Sequence, residues 1–167
     1  MDVLPLKGMD PPGGVVWRMK KPNVNAAQKC AEDISRKVGL FLKRQLRANK
    51  RIDQQTAHDI KLELDGRSQR MIERALRKAF PQIAILGEEG TVGDPCSEWR
   101  WVVDPIDGTV NFSRGLPHAC ISIALQSRNE DSGGHWSEYR TEAGVVCDPF
   151  LEEMWSAKRG SRARLNG

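Results

Sequence analysis

The chain has 167 residues, of which 39% are hydrophobic and 29% charged, and its formal net charge is +4. A chain of this length can enclose a hydrophobic core, and this composition excludes a disordered or fibrous protein. No apolar run approaches the length of a membrane span, and prolines and glycines interrupt residues 1–17 before a signal-peptide core develops. We therefore expect a cytoplasmic protein that does not associate with membranes.

The cysteines and the basic residues exclude two further classes of protein. Cys30, Cys96, Cys120 and Cys147 lie far apart without a C-x-x-C pair, so neither a zinc site nor a disulfide framework is expected. Each cysteine is predicted to be a small buried apolar residue. The basic residues between Arg36 and Arg51 suit the solvated face of a helix. A nucleic-acid surface is the alternative, but no aromatic side chains are interleaved to stack on bases, so nucleic acid is not an expected partner.

Two helices are predicted in the first half of the chain. Residues 1–22 are rich in proline and glycine and should form a flexible lead-in, and residues 23–167 should form one domain. A helix is predicted from about Asn23 to Asn49, because apolar residues recur there every three or four positions. They are Ala27, Cys30, Ala31, Ile34, Val38, Phe41, Leu42 and Leu46. A loop at Asp53–Ala57 and a short strand at Ile60–Leu64 should follow.

The second helix should run from about Gly66 to Phe80, with Asp65 as its N-cap and Pro81 ending it. Its inward residues should be Met71, Ile72, Ala75, Leu76 and Ala79. Strands are predicted at Ile83–Leu86, Trp99–Val103, Ala119–Gln126, Glu142–Cys147 and Glu153–Ala157, with a surface loop at Ser127–Arg140. The last two strands should pair across the Asp148-Pro149 turn. This order predicts an α+β fold, a layered α/β sandwich in which two N-terminal helices pack on a largely antiparallel sheet.

The segment Trp101–Phe112, WVVDPIDGTVNF, carries the strongest indication of chemistry. An apolar strand ends there in Asp104 and Asp107, two carboxylates three residues apart. Gly108 lets the backbone approach a ligand closely, and Thr109 can open a helix whose free amides point at an anion. Carboxylate and carbonyl oxygens are the ligands that Mg²⁺ prefers. The segment therefore suits a magnesium and phosphate site.

Ordinary turn chemistry is the competing explanation for this segment. Asp-Pro and Asp-Gly are common turn dipeptides, and aspartate commonly caps helices. The context favours a site, because a second acidic turn, Gly87–Gly90, also follows a short apolar strand, and Asp65 lies at a further element boundary. The three-residue spacing excludes the D-x-D nucleophile motif of the haloacid dehalogenase type. No Walker-type phosphate loop occurs.

WVVDPIDGTVNF, together with the upstream GEEG, resembles the signature of the inositol monophosphatase family. The resemblance extends from the first helix to Gly167, where KRGSRARLNG is similar to a conserved family stretch except that Arg162-Ala163 replaces the usual Gly-Ala pair. It implies the N-terminal domain of the inositol-phosphatase and sugar-phosphatase fold.

The resemblance also implies the parts of the site, which holds two or three Mg²⁺ ions in the complete family site. The implied metal ligands are Glu88, Asp104, the Ile106 carbonyl and Asp107. Asp65 and Thr109 would orient a metal-activated water, and the amides of Gly108 and Thr109 would bind the substrate phosphate. Direct attack of that water would hydrolyse inositol 1-phosphate or a similar sugar or polyol phosphate, a small-molecule ester, without a phosphoenzyme.

One element of the family pattern is not found in these residues. A downstream W-D-x-[AS]-[AG]-G motif supplies a further aspartate in the family, and this sequence does not occur in the chain. We therefore expect a truncated member with weak or no turnover. The alternative is a non-catalytic remnant that serves as a binding or dimerisation module, since homodimers are common in the family. The sequence leaves both open.

Overall fold

The fold consists of a layer of helices on one face of a mixed sheet. The structure is a computed structural model, and it describes residues 20–48, 52–55, 60–94, 96–129 and 139–167. The elements are α1 (Val24–Gln45), β1 (Ile52–Gln55), β2 (Ile60–Leu62), α2 (Glu63–Ala79), β3 (Ala84–Gly87), β4 (Gly90–Val92), β5 (Trp99–Asp107), α3 (Thr109–Ser113), β6 (Cys120–Arg128), β7 (Tyr139–Asp148), β8 (Glu153–Lys158) and β9 (Arg164–Leu165). Residues 1–19 of the expected lead-in lie outside the described ranges.

The main sheet has seven strands in the order β4-β3-β5-β6-β7-β8-β9, and β1 and β2 form a separate antiparallel pair. Within the main sheet β3 and β5 are parallel, and the other neighbours are antiparallel. α1 packs on β6, β7 and β8, while α2 packs on β5 and on α1. The predicted α+β fold, with two N-terminal helices on a mostly antiparallel sheet, is confirmed.

α1 confirms its predicted apolar stripe. The Asn23 side chain accepts a hydrogen bond from the Ala26 amide at 3.1 Å, which supplies the N-cap. Ala27, Ala31, Ile34, Val38 and Leu42 are buried against the sheet. The helix ends at Gln45, earlier than the predicted Asn49. Its described basic residues between 36 and 47 are exposed, as expected for a solvated helix face.

The start of α2 corrects the sequence prediction. The helix begins at Glu63, so Leu64 is helical rather than part of a strand, and Asp65 lies in the first turn rather than at the N-cap. Acidic side chains in a first turn interact favourably with the helix dipole, which explains the earlier start. Ile72 and Leu76 are buried as predicted, whereas Ala79 is exposed.

Two predicted loops are partly strand. β1 includes residues 53–55 of the first loop, and residues 56–59 lie outside the described ranges. β6 and β7 extend through Ser127 and from Tyr139, so both ends of the predicted second loop are strand, and its middle, 130–138, is not described. β7 and β8 pair as predicted. All four cysteines are free thiols, but Cys96 is exposed, which contradicts its predicted burial.

A buried polar network explains why β6 and β7 extend beyond their apolar residues. Glu142 is only 7% exposed, and its Oε1 accepts hydrogen bonds from Ser127 Oγ and Arg140 Nε, both at 2.8 Å. Burial raises the pKa of Glu142, but the hydrogen bonds from Ser127 and Arg140 outweigh it and hold that pKa below its ordinary value of 4.5. The carboxylate therefore stays charged and ties the strand ends together.

The far side of the sheet carries exposed apolar residues. Val146, Trp155 and Leu165 are 40%, 47% and 41% exposed.

No helix in the parts of the chain that the structure describes has the length and apolar character needed to cross a membrane.

Replacing Glu142 by glutamine should lower the free energy of unfolding at neutral pH by about 1–3 kcal/mol, because a hydrogen-bonded buried carboxylate is lost. A group whose pKa is depressed on folding stabilises the protein above its unfolded pKa, and that contribution disappears as the pH falls through the folded value. The difference from wild type should therefore shrink below pH 4.5. Urea unfolding at neutral and acidic pH measures it.

Glu152→Gln is the matched control, because that carboxylate is 79% exposed and pairs with Lys43 on the surface. Its effect should be smaller than that of Glu142→Gln. An effect of Glu142→Gln that stays constant from neutral to acidic pH would contradict the account of this network.

Candidate metal centre

The parallel pairing of β3 with β5 brings two acidic strand ends together. Gly87 of β3 lies opposite Val103 of β5, and the Glu88 amide donates a hydrogen bond to the Val103 carbonyl at 3.2 Å. Parallel strands end at the same edge of a sheet, so Glu88 follows β3 at the level where Asp104 follows Val103. Two carboxylates that are distant in sequence therefore become neighbours.

Asp104 is the electrostatic centre of this edge. Burial first, and then the negative charges of Glu88 and Asp107, raise the pKa of Asp104 to about 7. A hydrogen bond from the Ile106 amide to Asp104 Oδ1, at 3.1 Å, lowers that pKa in part. Three neighbouring carboxylates repel one another, so a cation or a proton is favoured at this point.

A bulge in β5 directs Asp104 and Asp107 toward each other. Asp104 pairs with Ser122 and Asp107 with Cys120, so β5 has two residues between these pairs where β6 has one. In a regular strand, residues three apart point to opposite faces, and the extra residue of a bulge removes that difference. Pro105 fits the irregular position because it has no amide to donate.

Asp65 and Thr109 meet on the inner side of the same loop. Asp65 is 2% exposed, and the Thr109 hydroxyl oxygen lies 3.4 Å from Asp65 Oδ1 and 2.8 Å from the Ile106 carbonyl oxygen. The hydroxyl has one proton, so the shorter contact, with Ile106, is the main hydrogen bond. A carbonyl oxygen has two lone pairs, and that of Ile106 keeps one for another partner.

Gly108 forms the turn into α3 and requires a glycine. Its φ is 95°, in the left-handed region, and a Cβ on it would lie 2.9 Å from the His118 carbonyl oxygen. The predicted helix opening at Thr109 is confirmed. The first amides of a helix have no partner within that helix, so those of this turn remain suited to an anion.

Gln69 and Cys120 contact the acidic residues, and sequence reasoning did not identify either. The Gln69 side chain accepts from the Glu89 amide at 2.8 Å and donates to the Gly90 carbonyl at 3.2 Å, which holds the turn that carries Glu88. The sequence feature that could have indicated Gln69 is a polar glutamine on the apolar, buried face of α2. The Cys120 thiol contacts Asp107 Oδ2 at 3.7 Å, and burial first, then Asp107, raises the pKa of Cys120 to about 12.

The oxygen atoms at this edge of the sheet suit a hard cation. In the structure, however, the carboxylates are not arranged around one common point. Among the described residues, no three Asp, Glu, His or Cys side chains lie in a position to hold a metal ion together. The negative charges of Glu88 and Asp107 nevertheless act on Asp104, whose Oδ1 accepts a hydrogen bond from the Ile106 amide. These oxygen donors fit Mg²⁺, which completes its coordination with water and phosphate oxygens.

Comparison with known proteins identifies relatives of this fold and site. A model of the inositol monophosphatase family matches residues 23–167. The Nus factor SuhB of Pseudomonas aeruginosa is 40% identical over 119 residues, which span 70% of this chain and 40% of that protein. The extragenic suppressor protein SuhB of Bartonella henselae superposes with a TM-score of 0.74 at 30% identity, over 84% of this chain and 52% of that one. For the IMPase of Thermotoga maritima the TM-score is 0.72 at 34% identity, over 85% and 52%. The chain thus spans about half the length of these relatives, or less.

The Gly108→Ala substitution should lower the free energy of unfolding by about 2–4 kcal/mol, through left-handed backbone strain and the contact with His118. Gly160→Ala is the control, because Gly160 also has a positive φ, of 74°, but its Cβ would meet no atom within 4 Å. That variant should lose only about 1–2 kcal/mol. Equal losses in the two variants, measured by urea unfolding, would show that the turn is not closely packed.

Proposed function

Because the chain belongs to the inositol monophosphatase family, we propose that it carries the metal-binding and water-orienting residues of a Mg²⁺-dependent phosphomonoesterase. The substrate is inositol 1-phosphate or a similar sugar or polyol phosphate. The proposal is supported above all by the position of Glu88, Asp104 and Asp107 at one edge of the sheet, where burial and the negative charges of Glu88 and Asp107 raise the pKa of Asp104 to about 7. The cytoplasm and a homodimer are the proposed setting.

The metal ligands in this proposal come from both strand ends. They are the carboxylates of Glu88, Asp104 and Asp107 and the carbonyl oxygen of Ile106. Bound Mg²⁺ supplies Lewis-acid chemistry, which activates water and neutralises charge on a phosphate ester. The residues then have to hold the water and the phosphate in line.

Asp65 and Thr109 orient the attacking water in this mechanism. The buried Asp65 carboxylate accepts the Thr109 hydroxyl proton, which leaves a lone pair on the hydroxyl oxygen for a proton of the water. For this pairing the hydroxyl proton has to turn from the Ile106 carbonyl, 2.8 Å away, to Asp65 Oδ1, 3.4 Å away. The Gly108 and Thr109 amides bind the phosphate at the start of α3.

A side-chain nucleophile is not required. The Cys120 thiol is the nucleophilic group beside Asp107, and its pKa of about 12 keeps it protonated. This supports direct attack by water over a covalent intermediate. The second candidate function, a non-catalytic binding or dimerisation module, would keep the fold without needing a cation at Asp104.

A calorimetric Mg²⁺ titration separates the two functions. Asp104→Asn should weaken Mg²⁺ binding by about 10- to 100-fold, because it removes a charged ligand from the centre of the site. Asp94→Asn, at an exposed aspartate in the turn after β4, should leave the affinity unchanged. Equal binding by wild type and Asp104→Asn would contradict the metal site and favour the binding module.

Phosphate release from inositol 1-phosphate by the 167-residue chain should be weak or absent, because these residues include no W-D-x-[AS]-[AG]-G sequence. A colorimetric phosphate assay with and without Mg²⁺ measures it, with Asp104→Asn as the background. Robust Mg²⁺-dependent release that Asp104→Asn abolishes would contradict the expected weak turnover.

A further inference from the structure

The outer face of α2 carries a continuous row of cations. They are Arg67, Arg70, Arg74, Arg77 and Lys78, all of which are exposed. Their spacing of three and four residues places them on one side of the helix, opposite the buried Leu64, Ser68 and Leu76. We refer to these five residues as the arginine face.

The arginine face differs in its counter-ions from Lys29, Arg36 and Lys43 of α1, although Lys37 and Arg44 of that helix also form no ion pair among the described residues. On α1, Lys29 pairs with Asp33 at 2.8 Å, and Lys43 pairs with Glu152 at 2.7 Å. In the described parts of the chain, no carboxylate forms an ion pair with a member of the arginine face.

Two glutamates of α2 lie near the arginine face. Glu73 accepts a hydrogen bond from Gln69 at 2.8 Å, and Glu63 lies in the first turn. Like charges three or four residues apart cost a helix about 0.2–0.5 kcal/mol per pair. Glu63 and Glu73, each four residues before an arginine, offset part of that repulsion, and an anionic ligand would offset the rest.

Local contacts give the arginine face a defined shape. The Arg67 guanidinium lies 5.1 Å from the centre of the Phe41 ring, which fixes this end of the row against α1. An open cleft of about 500 Å³ lies along the rest of the row. It is lined by Arg70, Glu73, Arg74, Arg77, Lys78 and Pro81.

The length and chemistry of the face select a polymer of phosphates. From Arg67 to Lys78 the helix rises about 16 Å, long enough to meet several successive phosphates rather than one. Arginine binds phosphate oxygens through two parallel hydrogen bonds. The face has no aromatic side chain for stacking on single-stranded bases, which favours a duplex with its higher charge density.

We propose that the arginine face binds the phosphate backbone of double-stranded nucleic acid without regard to sequence. The inference replaces the sequence-based expectation of no nucleic-acid partner, which rested on the residues between Arg36 and Arg51. It does not depend on the proposed phosphatase activity, because the arginine face lies on the side of α2 opposite Asp65, which is buried.

The test is fluorescence anisotropy with labelled RNA and DNA duplexes of arbitrary sequence, over a range of salt concentrations. The variant is the triple substitution Arg70→Gln, Arg74→Gln, Arg77→Gln. Each lost phosphate contact should lower the slope of log affinity against log salt by about 0.9, so the triple variant should lose about 2.7 and bind at least about tenfold more weakly at low salt. The RNA and DNA arms show which duplex is the ligand.

The matched control is Lys29→Gln, Arg36→Gln, Lys43→Gln, which removes the same charge from α1, where acids already pair with these cations. The affinity of this control variant for the duplexes should stay within about twofold of wild type, since the three cations it removes are paired with acids rather than with phosphate. Absent binding by wild type, equal losses in the two triple variants, or tighter binding of polyglutamate than of either duplex would overturn the proposal. If thermal melting shows the triple variant unfolded, Arg74→Gln alone should lower the slope by about 0.9, and an unchanged slope would overturn it.

Discussion

The parallel pairing of β3 with β5 forces negative charge to collect at one edge of the sheet, and the rest of the site accommodates that charge. The register that places Gly87 opposite Val103 makes Glu88 and Asp104 neighbours at that edge. Burial and two neighbouring carboxylates raise the pKa of Asp104 to about 7. Such an arrangement persists only where the surrounding structure is stable enough to hold the carboxylates together.

The surrounding structure provides that stability through close packing beneath the loop. Trp101, Ile106 and Phe112 are each at most 1% exposed, and Phe80 packs edge-on against Trp101 with ring centres 5.8 Å apart. Gln69 ties the turn after β3 to α2, and Gly87 leaves space for it, since a Cβ there would lie 2.5 Å from the Gln69 carboxamide. The acidic residues are therefore held by helix, strand and turn together.

Local sequence patterns predicted much of the fold, whereas the pairing of strands from distant segments could not be predicted from them. The apolar periodicity of α1 and the strand before Asp104 were readable, because each depends on residues close in sequence. The parallel partner of β5 was not, because nothing in Ile83–Leu86 specifies its neighbour. The predicted convergence of acidic element ends agrees with the contacts of Glu88 and Asp65, but the bulge that aligns Asp104 with Asp107 depends on β6 and had no local signal.

The same limit explains the errors around α2 and the interpretation of the basic residues. Asp65 suits both an N-cap and a first turn, and the sequence does not show that the helix already begins at Glu63, with Leu64 and Asp65 buried. The largest group of basic residues in the sequence lies between Arg36 and Arg51, so a nucleic-acid surface was considered there and not on α2. Lys43 of α1 pairs with Glu152, an acid from another segment, and sequence spacing does not reveal such a pair.

The central claim is that residues from β3, β5 and the turn into α3 form one cation site. Crystals of the chain soaked in Mn²⁺ would test it most directly, because manganese prefers the same oxygen donors and can be located by its anomalous scattering. We expect an anomalous peak within coordination distance of the Glu88 and Asp104 carboxylates and the Ile106 carbonyl. No peak at this edge of the sheet, or peaks only at other carboxylates, would contradict the claim.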